Sequence, residues 1–281
     1  MGHQTKEEKH LDDAPPPYSP SGASPAPPPP QPALQQIPQQ VVPQEVQIKR
    51  QFPPAFSMYR ESSWTQRNYM IGEHQSTPLY AVSLHSGWSG QPDIVLHNGP
   101  SDQNPPLAGA TRSSFGTSAT IALPPVPGSG MQAAEEKMEY SGGFGHTAYT
   151  FSIETGVGNA ARREPFEWRH SSGSVIQGLG ARGSGWKLVR LATGPPGGVV
   201  GASFVPGGAR ASDGKEVVAV WAWASGSLTK KLKFQFLGSG ANGVLGERWA
   251  IMAVITALRI WDRERRQRNQ SSAAAGGGGG A

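Results

Sequence analysis

The sequence predicts a mainly β protein: a closed antiparallel barrel of about twelve strands around a buried C-terminal helix, with a disordered proline-rich N-terminal arm. First, residues 56–236 alternate apolar and polar side chains in short runs bounded by Gly, Pro, Asn and Ser, which is typical of short antiparallel strands. Second, residues 247–268 lack this alternation and carry apolar side chains on nearly every helical face, so a helix there must be buried. Third, the 281 residues include 37 Gly and 26 Pro, and about half of the prolines precede Phe56, which places low-complexity sequence outside the fold.

The N-terminal arm, residues 1–51, is rich in Pro and Gln and has few large apolar side chains, so it cannot bury enough apolar surface to fold. It contains the linear motif Pro15-Pro16-Pro17-Tyr18, in which Pro15, Pro16 and Tyr18 match the Pro-Pro-x-Tyr ligand of WW domains. Prolines in a polyproline II helix and a tyrosine ring fit the aromatic groove of such a domain. We therefore expect a WW-domain partner, such as a ubiquitin ligase or an adaptor; the alternative is a chance tyrosine within a proline tract.

The short strands and the single apolar helix together predict the barrel. An open sheet would leave strand edges exposed, and a helix that is apolar on all faces needs cover on all sides. A barrel closed around the helix meets both needs. The uncharged stretch of the helix, residues 249–258, is about half of a membrane span, which favours burial in protein. We assign residues 52–268 to the barrel domain, residues 247–268 to its central helix and residues 269–281 to a flexible Ser/Ala/Gly tail.

The composition excludes several classes of protein. The absence of Cys rules out a disulfide framework, thiolate zinc sites, iron–sulfur clusters and cysteine nucleophiles. No apolar run reaches the roughly 18 residues of a membrane-spanning helix, and residues 1–10 lack the apolar stretch of a secretory signal. The net charge of +5, with five arginines between residues 259 and 268, favours anionic partners such as phospholipid headgroups or nucleic acid, and it does not choose between them. Of the two, we expect an anionic phospholipid and no nucleic acid. We expect a cytoplasmic protein without a transmembrane span, with peripheral attachment to membranes as a further expectation.

No motif in the sequence indicates catalysis. The glycine-rich segments 178–183 and 238–243 have the spacing of a dinucleotide fingerprint. The first is followed by a strand instead of a helix, and the second is followed by a helix but not by the parallel strand and acidic residue that the fingerprint requires. We interpret segment 238–243 as a turn that admits the central helix. Ser227 and Lys230 have Ser-x-x-Lys spacing without its partner motifs. We therefore expect no enzymatic activity, no metal ion and no cofactor.

The order of the elements and several short sequence segments resemble those of a known family. These segments are Met58-Tyr59, Tyr69-Met70-Ile71-Gly72, residues 78–85, 92–97 and 107–110, and the terminal helix. Over about three quarters of its length, the chain resembles the tubby C-terminal-like superfamily, which includes tubby proteins, plant LURP-one-related proteins and phospholipid scramblases. It is most similar to fungal tubby-like domains. The resemblance implies a twelve-stranded barrel around a central helix, and recognition of phosphoinositides through basic residues.

Basic residues supply a candidate site for an anionic lipid. Lys230, Lys231 and Lys233 cluster at the start of the last predicted strand, and Lys187 and Arg190 lie on another. If both strands present these side chains on one side, the five would bind a lipid headgroup through point charges and a guanidinium fork. The alternative is a solvated strand face.

These features favour a non-enzymatic interaction protein, in which a tubby-like barrel binds phosphoinositides or a membrane surface and the arm recruits a WW partner. The alternative is a scramblase-related, membrane-associated protein whose terminal helix helps lipids to cross the bilayer. Arg259, inside that helix, and the absence of a cysteine cluster argue against the alternative. We interpret the arginines after Trp261 as side chains that complement the dipole at the end of the helix.

Overall fold

The computed structural model describes residues 17, 51–61, 68–86, 89–113, 117–125, 132–143, 146–156, 161–180, 183–196 and 209–276. Twelve strands form one closed antiparallel barrel, and a long C-terminal helix packs inside it, which confirms the predicted fold class. The WW motif residues Pro15, Pro16 and Tyr18 lie outside the described residues.

The strands are β1 Ala55–Arg60, β2 Asn68–Gly72, β3 Tyr80–Leu84, β4 Ile94–His97, β5 Pro106–Arg112, β6 Ala119–Leu123, β7 Ala134–Gly143, β8 His146–Thr155, β9 Arg162–Ser171, β10 Gly185–Arg190, β11 Val217–Trp223 and β12 Lys230–Phe236. The helices are α1 Ser174–Gln177, α2 Gly238–Ala241 and α3 Glu247–Gly276.

The barrel has simple up-and-down topology. Each strand pairs with its neighbours in sequence, and the barrel closes where β1 pairs with β12. At this seam Phe56 lies opposite Phe234, and their rings stack with centroids 4.7 Å apart. Closure gives each of the twelve strands a partner on both sides, so no strand edge is left open for association with another chain. The connections between strands therefore alternate between the two ends of the barrel.

Strand alternation decides which side chains fill the barrel. In β9, Phe166 and Trp168 are fully buried inside it, whereas Glu167 and Arg169 form an ion pair on the outer face. In β11 the sequence is apolar without alternation, because the outer face is covered as well. There Val220 packs in a second apolar cluster with Ile176 of α1 and Val189 of β10, among other residues.

The helix α3 supplies the centre of the core. Its residues 251–262 are all buried, as the uniformly apolar sequence predicts. Rings of Phe166 and Phe236 pack against Trp249, with centroid distances of 5.8 and 5.7 Å. Trp168 Nε1 donates a hydrogen bond to Thr256 Oγ1 (2.9 Å), which fixes the helix against β9.

The helix continues beyond its predicted end. It reaches Gly276, so residues 269–276 are helical where the sequence predicts a flexible tail. The alanines in this segment have high helix propensity, which explains the difference. The hydroxyl groups of Ser271 and Ser272 donate to the backbone oxygens of Gln267 and Arg268, four residues earlier, as they do in helices.

The two ends of the barrel differ, and we name them by the course of α3. The helix begins where Phe52 and Phe236 line the barrel near Trp249, and we call this end the base. It leaves at the opposite end, the mouth, where the rings of Tyr69 and Trp223 contact Trp261 at 5.0 and 5.7 Å.

Candidate functional site

The mouth of the barrel concentrates positive charge. Between residues 259 and 268, α3 carries five arginines against Asp262 and Glu264, a net charge of +3. Arg259 is 2% exposed, whereas Arg268 is in solvent. One helix therefore carries positive charge from the barrel interior to the surface.

Two of these arginines compensate buried carboxylates. The Asp262 carboxylate accepts from Arg265 Nη2 at 2.6 Å and from Arg266 Nε at 2.7 Å. Arg266 also lies 3.7 Å from Asp93, which is paired with Arg112 at 3.1 Å. These ion pairs tie α3 to β5 and to the residue that precedes β4.

The other two surface arginines of this segment lie over aromatic rings. The Arg263 guanidinium lies 4.5 Å from the ring centroid of Tyr140 and donates a hydrogen bond to the Tyr149 hydroxyl. Burial raises the pKa of Tyr149 above its ordinary value, and the charge of Arg263 opposes this shift. Arg268 lies 4.1 Å from the ring of Trp223. Each such contact contributes about 0.5–1 kcal/mol at an exposed site, which is enough to bias the rotamer of a long side chain.

Glu264 fixes the rotation of α3 at the mouth. Trp186 Nε1 of β10 donates to one of its carboxylate oxygens (2.8 Å), and Trp223 Nε1 of β11 donates to the other (2.5 Å). The carboxylate thus connects the helix to two adjacent strands. Because the helix cannot turn freely, the arginines on either side of Glu264 keep defined directions around the mouth.

Arg259 is a buried cation beneath these surface groups. Its Nε and Nη2 atoms have no hydrogen-bond partner among the described residues. Burial lowers the pKa of Arg259, while the nearby charges of Asp262 and Asp93 oppose the shift. A buried guanidinium with unsatisfied donors lowers stability, so packing does not explain why this position is charged.

The turn between β11 and β12 brings lysines to the same end. Leu228, at this turn, is 94% exposed. Lys231 Nζ donates to the backbone oxygen of Leu228 (2.7 Å), and Lys230 Nζ lies 5.4 Å from the ring centroid of Tyr59. We define the cationic mouth as Leu228, Lys230, Lys231, Arg263, Arg265, Arg266 and Arg268.

The structure does not bring the five predicted lipid-binding residues together. Only Lys230 and Lys231 lie at the mouth. Lys187 and Lys233 project from the outer wall, because the residues that flank them on β10 and β12 point into the core. Lys233 Nζ donates to the backbone oxygen of Leu179 (2.8 Å), so part of its hydrogen-bonding capacity is used within the chain.

Arg190 lies at the base and is buried against Glu164. Its Nε and Nη2 atoms donate to the two carboxylate oxygens at 2.5 and 2.9 Å, and Arg162 Nε also donates to this carboxylate (2.7 Å). Burial alone would raise the pKa of Glu164, but the hydrogen bonds from both arginines hold it below its ordinary value. Arg190 borders a polar cleft of about 520 Å³ with Arg210 and Lys215, yet its guanidinium is engaged by protein groups.

The glycine-rich segment before α3 forms the one-turn helix α2 and then a turn, where the sequence predicts a turn alone. It lines a small apolar pocket of about 30 Å³ at the base with Phe52, Phe236 and Trp249. The Glu216 carboxylate accepts hydrogen bonds from the backbone N–H (2.7 Å) and the hydroxyl (3.0 Å) of Ser239. The donors that a phosphate would need at this turn therefore already bind a carboxylate of the same chain.

The candidate lipid site predicted from the sequence did not include the arginines of the mouth, which are four arginines within residues 263–268, directly after the buried part of α3. Their interpretation as helix-capping groups considers the helix alone. The barrel topology adds the lysines of the β11–β12 turn to the same end. Within the described ranges, no group of three or more His, Asp or Glu side chains is placed to bind a metal ion. None of the described helices combines the length and apolar character needed to cross a membrane.

Comparisons of the chain with protein-family models, with characterised proteins and with solved structures gave no match. The resemblance to the tubby C-terminal-like superfamily therefore stays a prediction that depends on the short sequence segments and on the order of the elements.

Proposed function

We propose that this chain is a non-enzymatic interaction protein whose barrel binds anionic phospholipid surfaces, phosphoinositides included, through the cationic mouth. The observation that carries the proposal is the placement of positive charge at one end of the barrel. Four arginines of α3 and the two lysines at the start of β12 meet there, around aromatic side chains.

Electrostatics supports this choice of partner. A basic side chain close to an anionic bilayer contributes about 1 kcal/mol, and this contribution falls off within a Debye length of about 10 Å. Charges gathered at one end can all lie within that distance of a flat surface, whereas charges spread around the wall cannot. Lys187 and Lys233 on the wall therefore contribute less than Lys231 and Arg268 at the mouth.

The N-terminal arm adds the second half of the proposal. Pro15, Pro16 and Tyr18 match a WW-domain ligand, and we propose that the arm recruits such a partner to the membrane surface. This part depends on the sequence alone. A peptide of residues 8–28 titrated with a WW domain, as wild type and as Tyr18→Ala, tests it; equal affinities would remove the WW partner from the proposal.

Vesicle flotation tests the lipid part. The full chain should float with phosphatidylcholine vesicles that contain phosphatidylserine or a phosphoinositide, and not with phosphatidylcholine alone. The Lys231→Gln/Arg268→Gln variant should bind anionic vesicles about 10- to 30-fold more weakly, from about 1 kcal/mol per charge. The control is Lys187→Gln/Lys233→Gln, which removes the same charge from the wall and should weaken binding clearly less than the mouth variant does. Equal recovery with neutral and anionic vesicles, or equal weakening in both variants, would contradict the proposal.

A further inference from the structure

The β11–β12 turn exposes a large apolar side chain beside basic groups. Leu228 is 94% exposed, and the only other large apolar side chain exposed among the described residues is Leu79, at 39%. Ser227 and Thr229 flank Leu228, so its neighbours in sequence give it no apolar cover. An apolar tip surrounded by basic side chains is the pattern by which peripheral proteins enter the interface of a bilayer.

The positions of the basic groups match this arrangement. Lys231 holds the backbone of Leu228 through its hydrogen bond, and Arg268 packs on Trp223, the last residue of β11. Anionic headgroups would meet these cations at the level of the phosphates while the leucine reaches past them. The cations and the apolar tip therefore select one partner, an anionic lipid surface, rather than an apolar protein groove.

We infer that the barrel docks mouth first, with Leu228 inserted into the headgroup region of an anionic bilayer, Lys231 and Arg268 beside the phosphates, and the base directed away from the membrane. This inference rests on the proposed lipid-binding function and adds the orientation and an apolar contribution. The two contributions respond differently to salt, because ions screen the attraction of exposed charges and not the burial of a leucine.

Leu228→Ser tests the apolar contribution. It should weaken binding to anionic vesicles by about tenfold, and this factor should persist at high salt, whereas the factor for Lys231→Gln/Arg268→Gln should shrink. Leu79→Ser is the matched control, since it removes an exposed leucine away from the mouth; it should bind like wild type. If Leu228→Ser does not weaken binding to anionic vesicles, or weakens it only at low salt, the insertion of Leu228 into the bilayer is overturned.

The absence of Cys in the chain allows a direct test of orientation, because one introduced cysteine is the only attachment site for a thiol-reactive fluorophore. Ser225→Cys labels the turn beside Leu228, and Gln132→Cys labels the base, where the Gln132 backbone oxygen accepts from Arg248 of α3. With anionic vesicles, the fluorescence emission of the label at position 225 should shift to the blue, and an aqueous quencher should reduce it less. The emission and the quenching of the label at position 132 should not change.

The outcomes separate this inference from the proposed function. Flotation without protection of the Ser225 label, or with protection of the Gln132 label instead, overturns the mouth-first orientation and leaves lipid binding intact. Protection of the Ser225 label by an added protein and not by vesicles would assign Leu228 to a protein partner and overturn the inference. Failure to float with any anionic vesicle overturns both.

Discussion

Glu164 is a buried carboxylate whose charge is stabilised by Arg190 and Arg162. Burial by itself disfavours the charged form of a carboxyl group. The hydrogen bonds from the two arginines outweigh this effect and hold the pKa of Glu164 below its ordinary value. Since the pKa is lower in the folded than in the unfolded chain, the carboxylate contributes stability at neutral pH. This contribution is lost as the pH falls through the folded pKa.

We therefore expect Glu164→Gln to lower the free energy of unfolding at neutral pH by about 3 kcal/mol, since the change leaves Arg190 buried without its counter-charge. In acid the difference from wild type should shrink, because the wild-type protein has itself lost the contribution of the carboxylate. Urea denaturation at a series of pH values measures both effects. Glu136→Gln is the control, because its partner Arg163 is 54% exposed and solvent weakens the pair. A loss that is equal at all pH values would contradict this account.

Individual residues show where sequence reasoning ends. Basic composition marks Arg190 and Lys230 equally as candidates for binding an anion. Their difference arises from pairing across strands: Glu164 is 26 positions before Arg190 and meets it only because β9 and β10 are adjacent. Such a partner cannot be identified from one sequence, whereas the exposed character of a turn residue such as Leu228 follows from its polar neighbours.

Among the elements, α3 is held to the barrel by polar contacts as well as apolar packing. Thr256 is fully buried on the helix and accepts a hydrogen bond from Trp168 Nε1 of β9, while its own hydroxyl donates to the Met252 backbone oxygen (2.7 Å). A polar group inside an otherwise apolar helix reduces stability unless it is paired. Here the pairing satisfies the indole N–H and sets the position of α3 along the barrel axis.

Thr256→Val should test this contact with little change of side-chain volume. The variant leaves the indole N–H of Trp168 buried without an acceptor, so we expect a loss of about 1–3 kcal/mol in the free energy of unfolding. Chemical denaturation in a double-mutant cycle with Trp168→Phe isolates the pair. In the Trp168→Phe background the threonine substitution should cost about 1 kcal/mol less, and additive effects would show that the hydrogen bond contributes nothing.

The same helix shows what can be predicted for an element. The burial of its residues 251–262 follows from the apolar residues on every face of that segment. Its end does not follow, because the segment after Arg268 is similar in composition to a linker, and only the described hydroxyl–backbone contacts of Ser271 and Ser272 reveal a continued helix. The proximity of the arginines to Lys230 and Lys231 could not be predicted for a related reason: a helix taken alone does not indicate what surrounds the end at which it leaves the barrel.

At the scale of the barrel, closure of the strands could be predicted from the sequence, but the concentration of positive charge at one end could not. Short strands plus one wholly apolar helix permit few arrangements that cover all edges, and the twelve-stranded barrel around α3 is the one adopted. In an up-and-down barrel, successive connections lie at opposite ends, and this alternation decides which charged residues lie at the same end of the barrel. Once that topology is known, the β11–β12 turn and the last turns of α3 must lie at the same end, and the cationic mouth follows.

Two truncations test whether α3 is part of the barrel core and where its contribution ends. Deletion of residues 269–281 should change the free energy of unfolding by less than about 0.5 kcal/mol, because residues 269–274 are exposed, and flotation on anionic vesicles should be retained. Deletion of residues 247–281 removes Trp249, Ile255 and Trp261 from the barrel interior. The remaining strands would then enclose an unfilled core, so we expect no cooperative unfolding transition and no near-ultraviolet circular dichroism of packed tryptophan. A shortened chain that still unfolds cooperatively would show that the strands form a barrel without the helix, and would contradict the central role assigned to α3.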